Sequence, residues 1–534
     1  MRSKEADNEI HAVSTTATAP VVTEVPSGES LSPNGRRVLD ENDKANAKHT
    51  AYAWSKKKKW ILLTVVALCQ TSMNFNAAVY SNAIEGINEQ FGVKNARMGM
   101  VAFLITYAFG CELWAPWSEE LGRWIIMQLS LSCVNISIII CAVAPNFATI
   151  LAGRAIGGLS SAGGSVTLGM VADMFDSNNQ QFAVAWASLW SCLGGMYHSF
   201  LSCLYTVIGA ICGGPIQQYL PWRYNFWIQL AFSLATQIIH FFIAKESRAT
   251  CMLDTYAKKK RKNGNEIYGP NEVRSLRERF DKKKILETMW RPYWMLMSEP
   301  IVLWLSLLSG FADALIFSFF ESYGYVFGQW GYTPVQISLA MLPLFASYWV
   351  AYFSFFPVVK KHNKQRREGK VLAPETRLWW LLFQVVLLPA GLLGCALLSR
   401  KSHGPAGVIA FSFLIGMANF SIYYATVDYM VAAYAEYSAS ATGGNGFCRD
   451  FLAGVCSFYT GPMYKNLGIR NAQLLLFGIG AAFCFPVFAF YHWGPEIRQR
   501  SKFAQQLAAQ HDNAASARAH ADDFLIVDNE EKTA

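Results

Sequence analysis

The sequence predicts an all-α integral membrane protein, with twelve transmembrane helices arranged as two pseudo-symmetric six-helix bundles. Three observations carry this. Of 534 residues, 53% are hydrophobic and only 16% charged, well below the quarter typical of soluble domains. Long apolar segments recur along the chain, and each approaches the roughly 20 residues needed to cross a hydrocarbon core. Between the sixth and the seventh lies a connector, Lys245–Arg291, with fourteen Lys and Arg against seven Asp and Glu. Lys and Arg near span ends fix orientation, so this connector is expected on the cytoplasmic side. It supplies most of the +9 net charge. No nucleic-acid module surrounds it, so a nucleic-acid partner is not expected.

The domain order follows. Residues 1–55 form a polar tail expected to be disordered and cytoplasmic, with no cleavable signal peptide. Residues 56–244 form the first bundle, 245–298 the connector, 299–493 the second bundle and 494–534 a cytoplasmic tail. Span 1 is predicted at Trp60–Ile84, after Lys56–Lys59. Spans 2 and 3, Met98–Trp117 and Trp124–Ala144, meet at a sharp turn over Ser118–Arg123. Span 4 is Thr149–Phe175, and span 6 is Arg223–Ala244. The second half predicts Ile301–Phe327, Ile337–Val359, Leu378–Leu398, Gly407–Tyr434, Gly443–Tyr464 and Gln473–Trp493. Putting both termini inside places the basic runs, including six basic residues in Lys360–Lys370, on one side.

Span 5 fits less well. Phe182–Leu220 is 39 residues without a charge, about 58 Å if helical. One span cannot absorb that by tilt, and two would invert everything downstream. One span plus a surplus around Gly195–Tyr205 is expected.

The halves echo each other. Span 4 ends in Val171-Ala172-Asp173-Met174, and span 10 contains Val427-Asp428-Tyr429-Met430. This is the weak symmetry of repeated bundles with a site between them near the midplane.

The motifs carry a resemblance. The loop after span 2 reads Ala115-Pro116-Trp117-Ser118-Glu119-Glu120-Leu121-Gly122-Arg123, and span 4 holds Arg154-Ala155-Ile156-Gly157-Gly158. Span 5 holds Gly209-Ala210-Ile211-Cys212-Gly213-Gly214-Pro215, and Lys245-Glu246-Ser247-Arg248 follows span 6. With Asp428-Tyr429-Met430 and Arg449-Asp450, these make the chain resemble the major facilitator superfamily, and within it the fungal twelve-span drug:proton antiporter branch. The resemblance implies the major facilitator fold and an efflux pump for drugs, toxins, polyamines or secondary metabolites. It also implies protons and a small molecule as partners, a monomer, and a plasma or vacuolar membrane. Glu119, Gly122, Arg123 and Asp173 are then expected to form a gating lock. Gly209, Gly213, Gly214 and Pro215 would let helices approach closely and bend span 5.

Charges at depth are expensive, so each needs a partner or a role. Glu112 in span 2 and Asp313 in span 7 are candidates for proton coupling or for structural pairing, since burial favours the neutral form of a carboxyl. Asp428, Arg449 and Asp450 are expected to form a salt-bridge cluster near the inner face. Asn74, Asn76, Arg154, Phe317, Glu321, Asn419 and Tyr423 are cavity candidates. No metal spacing, cofactor motif or nucleophile–base grouping is present, so an enzyme is not expected. Competing readings are a nutrient or organic-acid facilitator or symporter of the same fold, and a transporter-like membrane sensor.

Overall fold

The computed structural model describes residues 29–505, apart from 32–35, 42, 44, 162, 176, 197–216, 369, 371, 435–436, 502 and 504. Among the described residues, nine helices have the length and apolarity of a membrane span. Lys56–Phe91, Met98–Glu120 and Arg123–Ala142 are spans 1 to 3, and Arg223–Ile243 is span 6. Spans 7 to 10 are Pro300–Gly328, Pro334–Arg367, Pro374–Leu398 and Ala406–Tyr434. The ninth, Ser438–Gln499, holds two spans. At Gly468 its backbone takes φ 75°, a left-handed value that glycine adopts without strain. Its arms before and after Gly468 are spans 11 and 12.

Span 4 is not the continuous helix expected over Thr149–Phe175. It is Phe147–Leu159 followed by Gly163–Met174. The break falls at small polar residues, where Ser161 N bonds Gly158 O at 3.1 Å in a tightened last turn. Span 5 is Ser177–Met196. The surplus expected around Gly195–Tyr205 falls largely outside the described residues, as do Gly209, Gly213, Gly214 and Pro215.

The two bundles meet along spans 2 and 11. A Cβ on Gly454 would lie 2.9 Å from the Ile105 Cδ1, so only a small residue permits this approach. Phe182 of span 5 packs against Phe356 of span 8, centroids 5.6 Å apart, on the other side of the seam.

From Glu29 on, the described part of the amino-terminal tail contributes regular structure. Strands β1 (Glu29–Leu31), β2 (Arg37–Leu39) and β3 (Ile267–Tyr268) form a small sheet in that order. The β1–β2 pair is antiparallel and the β2–β3 pair parallel. Leu39 is buried with Leu253 and Ala257 of the connector helix Ala249–Lys262. Tail and connector thus share one small core.

Candidate functional site

A narrow cavity lies between the bundles, lined by charged, polar and aromatic side chains from both. Spans 1, 2 and 5 line one wall and spans 7, 8 and 11 the other. Asp313 stands thirteen residues into span 7 and Arg449 eleven into span 11, about 20 and 16 Å along their helices. That is mid-depth in hydrocarbon about 30 Å thick.

Arg449 organises the charge here. Its Nη2 lies 3.5 Å from Asp313 Oδ2, and its guanidinium sits 3.8 Å over the Tyr423 ring. Asp450 faces the same space. A guanidinium can meet a carboxylate through its edge and a ring through its face at once, which a lysine cannot do. On the opposite wall Asn74 donates to the Ser191 carbonyl at 2.9 Å and accepts from the Tyr107 hydroxyl at 3.3 Å. Phe317 lines the cavity too.

Contacts between the halves bracket this cavity at both ends. At the end away from the connector, Arg97 pairs with Glu321 at 3.3 Å. At the connector end, Gln181 of span 5 donates to Asp428 of span 10 at 2.8 Å.

The sequence profile of the Major Facilitator Superfamily matches residues 66–457. The chain belongs to that superfamily. Its relatives include the MFS-type transporter paaT of Penicillium rubens, 30% identical over 84% of this chain and 81% of that protein. The Ascochitine biosynthesis cluster MFS transporter of Didymella fabae is 26% identical, covering 84% of this chain and 86% of that one. The multidrug transporter TPO1_2 of Candida glabrata is 26% identical, covering 85% and 78%. The fold also matches the proton:xylose symporter XylE bound to a glucose analogue, with TM-score 0.58, 14% identity, and coverage of 82% and 97%. The human organic anion transporter MFSD10 matches with TM-score 0.53, 15% identity, and coverage of 80% and 99%. This member of the superfamily is thus a multi-pass membrane transporter of small molecules and not an enzyme.

The superfamily loop after span 2 builds a lock. Arg123 Nε lies 3.2 Å from Asp173 Oδ2, and its Nη1 donates to Ser118 Oγ at 2.6 Å. Gly122 turns the chain with φ 106°, so the first amides of span 3 point outward. Glu246, from the end of span 6, accepts the Arg123 and Trp124 N–H at 2.9 and 3.1 Å. A carboxylate on a helix N-terminus satisfies amides that have no partner within the helix. Glu119, expected in this lock, makes no ion pair among the described residues. One position on, around the helix, Glu120 meets Arg274 and Arg279 of the connector, each at 3.6 Å.

The second half repeats the design. Arg377 at the start of span 9 pairs with Asp428, and Arg498 at the end of span 12 meets Glu375 at 2.7 Å. The expected cluster of Asp428, Arg449 and Asp450 is therefore divided. Asp428 serves the connector end, while the other two serve the mid-depth cavity.

The remaining candidates scatter. Arg154 donates to the Asn76 side chain and carbonyl, both at 2.8 Å, and lies 4.1 Å over Phe103. Both residues are inside the first bundle and neither lines the cavity, but Phe103 does, so Arg154 lies directly behind the wall. Glu321 pairs with Arg97 at the end away from the connector and does not line the cavity. Asn419 accepts from Tyr348, which lines the cavity, at 3.0 Å. Glu112 is buried against Gly443 of span 11, at the seam. Sequence reading missed Tyr107, Ser191, Cys192 and Tyr348 on the wall, and nothing marks them out among many similar residues. It also missed Glu375 and Arg377, although an intact Pro374-Glu375-Thr376-Arg377 repeats the degenerate Lys245–Arg248 in the other half.

Proposed function

We propose that this transporter exports small organic molecules in exchange for protons, by alternating access, with its connector and both termini in the cytoplasm of the cell and the plasma membrane as its site. One observation carries the reading: Asp313, Arg449 and Asp450 meet at mid-depth in a cavity bounded by both halves. Two carboxylates beside one guanidinium leave one acid without a full counter-charge. A proton on either acid frees the guanidinium or neutralises the cavity, and a cationic or polar cargo can take the proton's place. Aromatic rings on the walls suit flat or amphipathic cargo. Glu112, buried at the seam, is a third acid able to sense this exchange. Secondary-metabolite and multidrug relatives support export as the direction.

The test is purified protein in sealed vesicles loaded with a fluorescent cationic dye. An imposed inward proton gradient is expected to speed dye loss, and collapsing it with a protonophore to stop the acceleration. Dye loss that ignores the gradient overturns the antiport reading.

A further inference from the structure

The last helix of the connector, Lys282–Ser298, belongs to neither bundle and has two unlike faces. One face closes the seam. Tyr293 lies 4.8 Å from Phe447 of span 11 and 6.2 Å from Phe109 of span 2, centroid to centroid. Phe109 stands eleven residues before Glu120, where span 2 ends, about 16 Å along the helix. Tyr293 therefore reaches below the level of lipid headgroups.

The other face carries Leu286, Trp290, Trp294 and Met297, exposed by 65, 62, 57 and 75%. Spaced four, four and three residues apart, they form a single stripe. Phe109, against which Tyr293 rests, is itself 45% exposed in mid-span, so the stripe continues the lipid-facing wall. Lys282, Lys283 and Lys284 stand exposed at the start of the same helix. A tryptophan-bearing apolar stripe ending in lysines suits the plane of a membrane surface, rings at the boundary between headgroups and acyl chains and ammonium groups on phosphates.

We propose that Lys282–Ser298 docks on an anionic lipid leaflet and thereby braces the seam between spans 2 and 11. Trp290, whose ring lies 5.5 Å from that of Tyr293, and Trp294 sit at the boundary between headgroups and acyl chains, and Lys282, Lys283 and Lys284 meet lipid phosphates. The cytoplasmic leaflet is the anionic one, in keeping with the orientation proposed above, but the docking does not depend on the direction or coupling of transport.

The test uses the full chain in nanodiscs of phosphatidylcholine, alone or with phosphatidylserine, and follows hydrogen exchange of the 282–298 amides. Each basic side chain at an anionic leaflet contributes about a fivefold preference. Exchange is therefore expected to slow about tenfold or more when phosphatidylserine is present. Lys282→Glu/Lys283→Glu/Lys284→Glu should erase that difference while leaving thermal unfolding and exchange in phosphatidylcholine unchanged. Trp290→Ser/Trp294→Ser should speed exchange in both lipids. Equal exchange of the unsubstituted protein in the two lipids overturns the proposal. So does a phosphatidylserine effect that survives charge reversal, or a tryptophan pair whose loss changes nothing.

Discussion

Arg377 donates to both the carbonyl and the carboxylate of Asp428, and Gln181 from the opposite bundle donates to the same carboxylate at 2.8 Å. One aspartate thus ties span 9 to span 10 and also straps the two halves together. Its counterpart Asp173 ties Arg123 at 3.2 Å and takes Ser247 Oγ at 3.2 Å, within its own half.

Asp428→Asn leaves the Arg377 guanidinium half-buried without its counter-charge. Removing one partner of a buried pair costs about 3–5 kcal/mol, so thermal unfolding in detergent should shift clearly downward. Gln181→Leu removes only the strap. It should leave unfolding nearly unchanged while speeding alkylation of Cys192, which faces the cavity, as mapped by peptide mass spectrometry. Equal alkylation in the two proteins would show that the strap does not gate the connector end.

At the opposite end, Arg97 and Glu321 close over Gly461, where an added Cβ would meet both side chains. Arg97→Glu puts like charges together, and transport is expected to fall at least about tenfold, a decade being about 1.4 kcal/mol. The swap Arg97→Glu/Glu321→Arg should recover most of it. Gly461→Val should mimic the single reversal. A swap no better than the single change would mean that the pair is incidental.

In the cavity, Asp313→Asn removes the carboxylate proposed to carry the proton and leaves Arg449 with Tyr423 and Asp450. Gradient-driven dye loss is expected to fall at least about tenfold, and Asp313→Glu to retain part of it. If Asn transports as well as Asp under the same gradient, the proton is carried elsewhere, and Asp450 and Glu112 are the next acids to neutralise.

The connector offers a pH test outside the membrane. Burial alone would raise the Glu272 carboxyl, but the Arg261 fork and the Gly269 amide outweigh it and hold it below the usual carboxylate range. Arg261 donates twice to Glu272, both bonds at 2.6 Å. A carboxyl depressed on folding adds stability above its unfolded value, about 4.3, and that contribution is lost as pH falls through the lower folded value. Amides around β3 should exchange faster as pH drops below about 4, after correction for intrinsic rates. Glu272→Gln should show the fast rate already at neutral pH and flatten the dependence.

The apolar periodicity and the basic bias were enough to read the twelve helices and their grouping, because a bilayer leaves the backbone few alternatives. The mid-depth acid Asp313 was legible for a related reason, since a charge in hydrocarbon stands out against its surroundings; Asp450 was expected in an inner cluster with Asp428 and lines the mid-depth cavity instead. Pairings were less legible. Arg449 and Asp428 lie twenty-one residues apart, on neighbouring spans, yet they serve different levels of the membrane, which only helix register reveals. Arg97 looked like a loop charge because its partner, Glu321, is supplied by the other half. Arg154 and Asn76 drew attention as polar groups at depth, and they bond to each other behind the cavity-lining Phe103 instead of facing the cavity.

The basic connector has a mechanical consequence. Up to Phe280 it is fastened to the first bundle, through Arg248 on Asp173, Arg274 and Arg279 on Glu120, and Phe280 stacked on Trp117. Its exit is held by the second, where Tyr434 donates to Glu299 at 3.2 Å. What a linear reading takes for a long slack tether is a splint with one joint near Asp281. Any rocking of the halves must therefore carry this fastened chain with it, since no slack is left for it to take up.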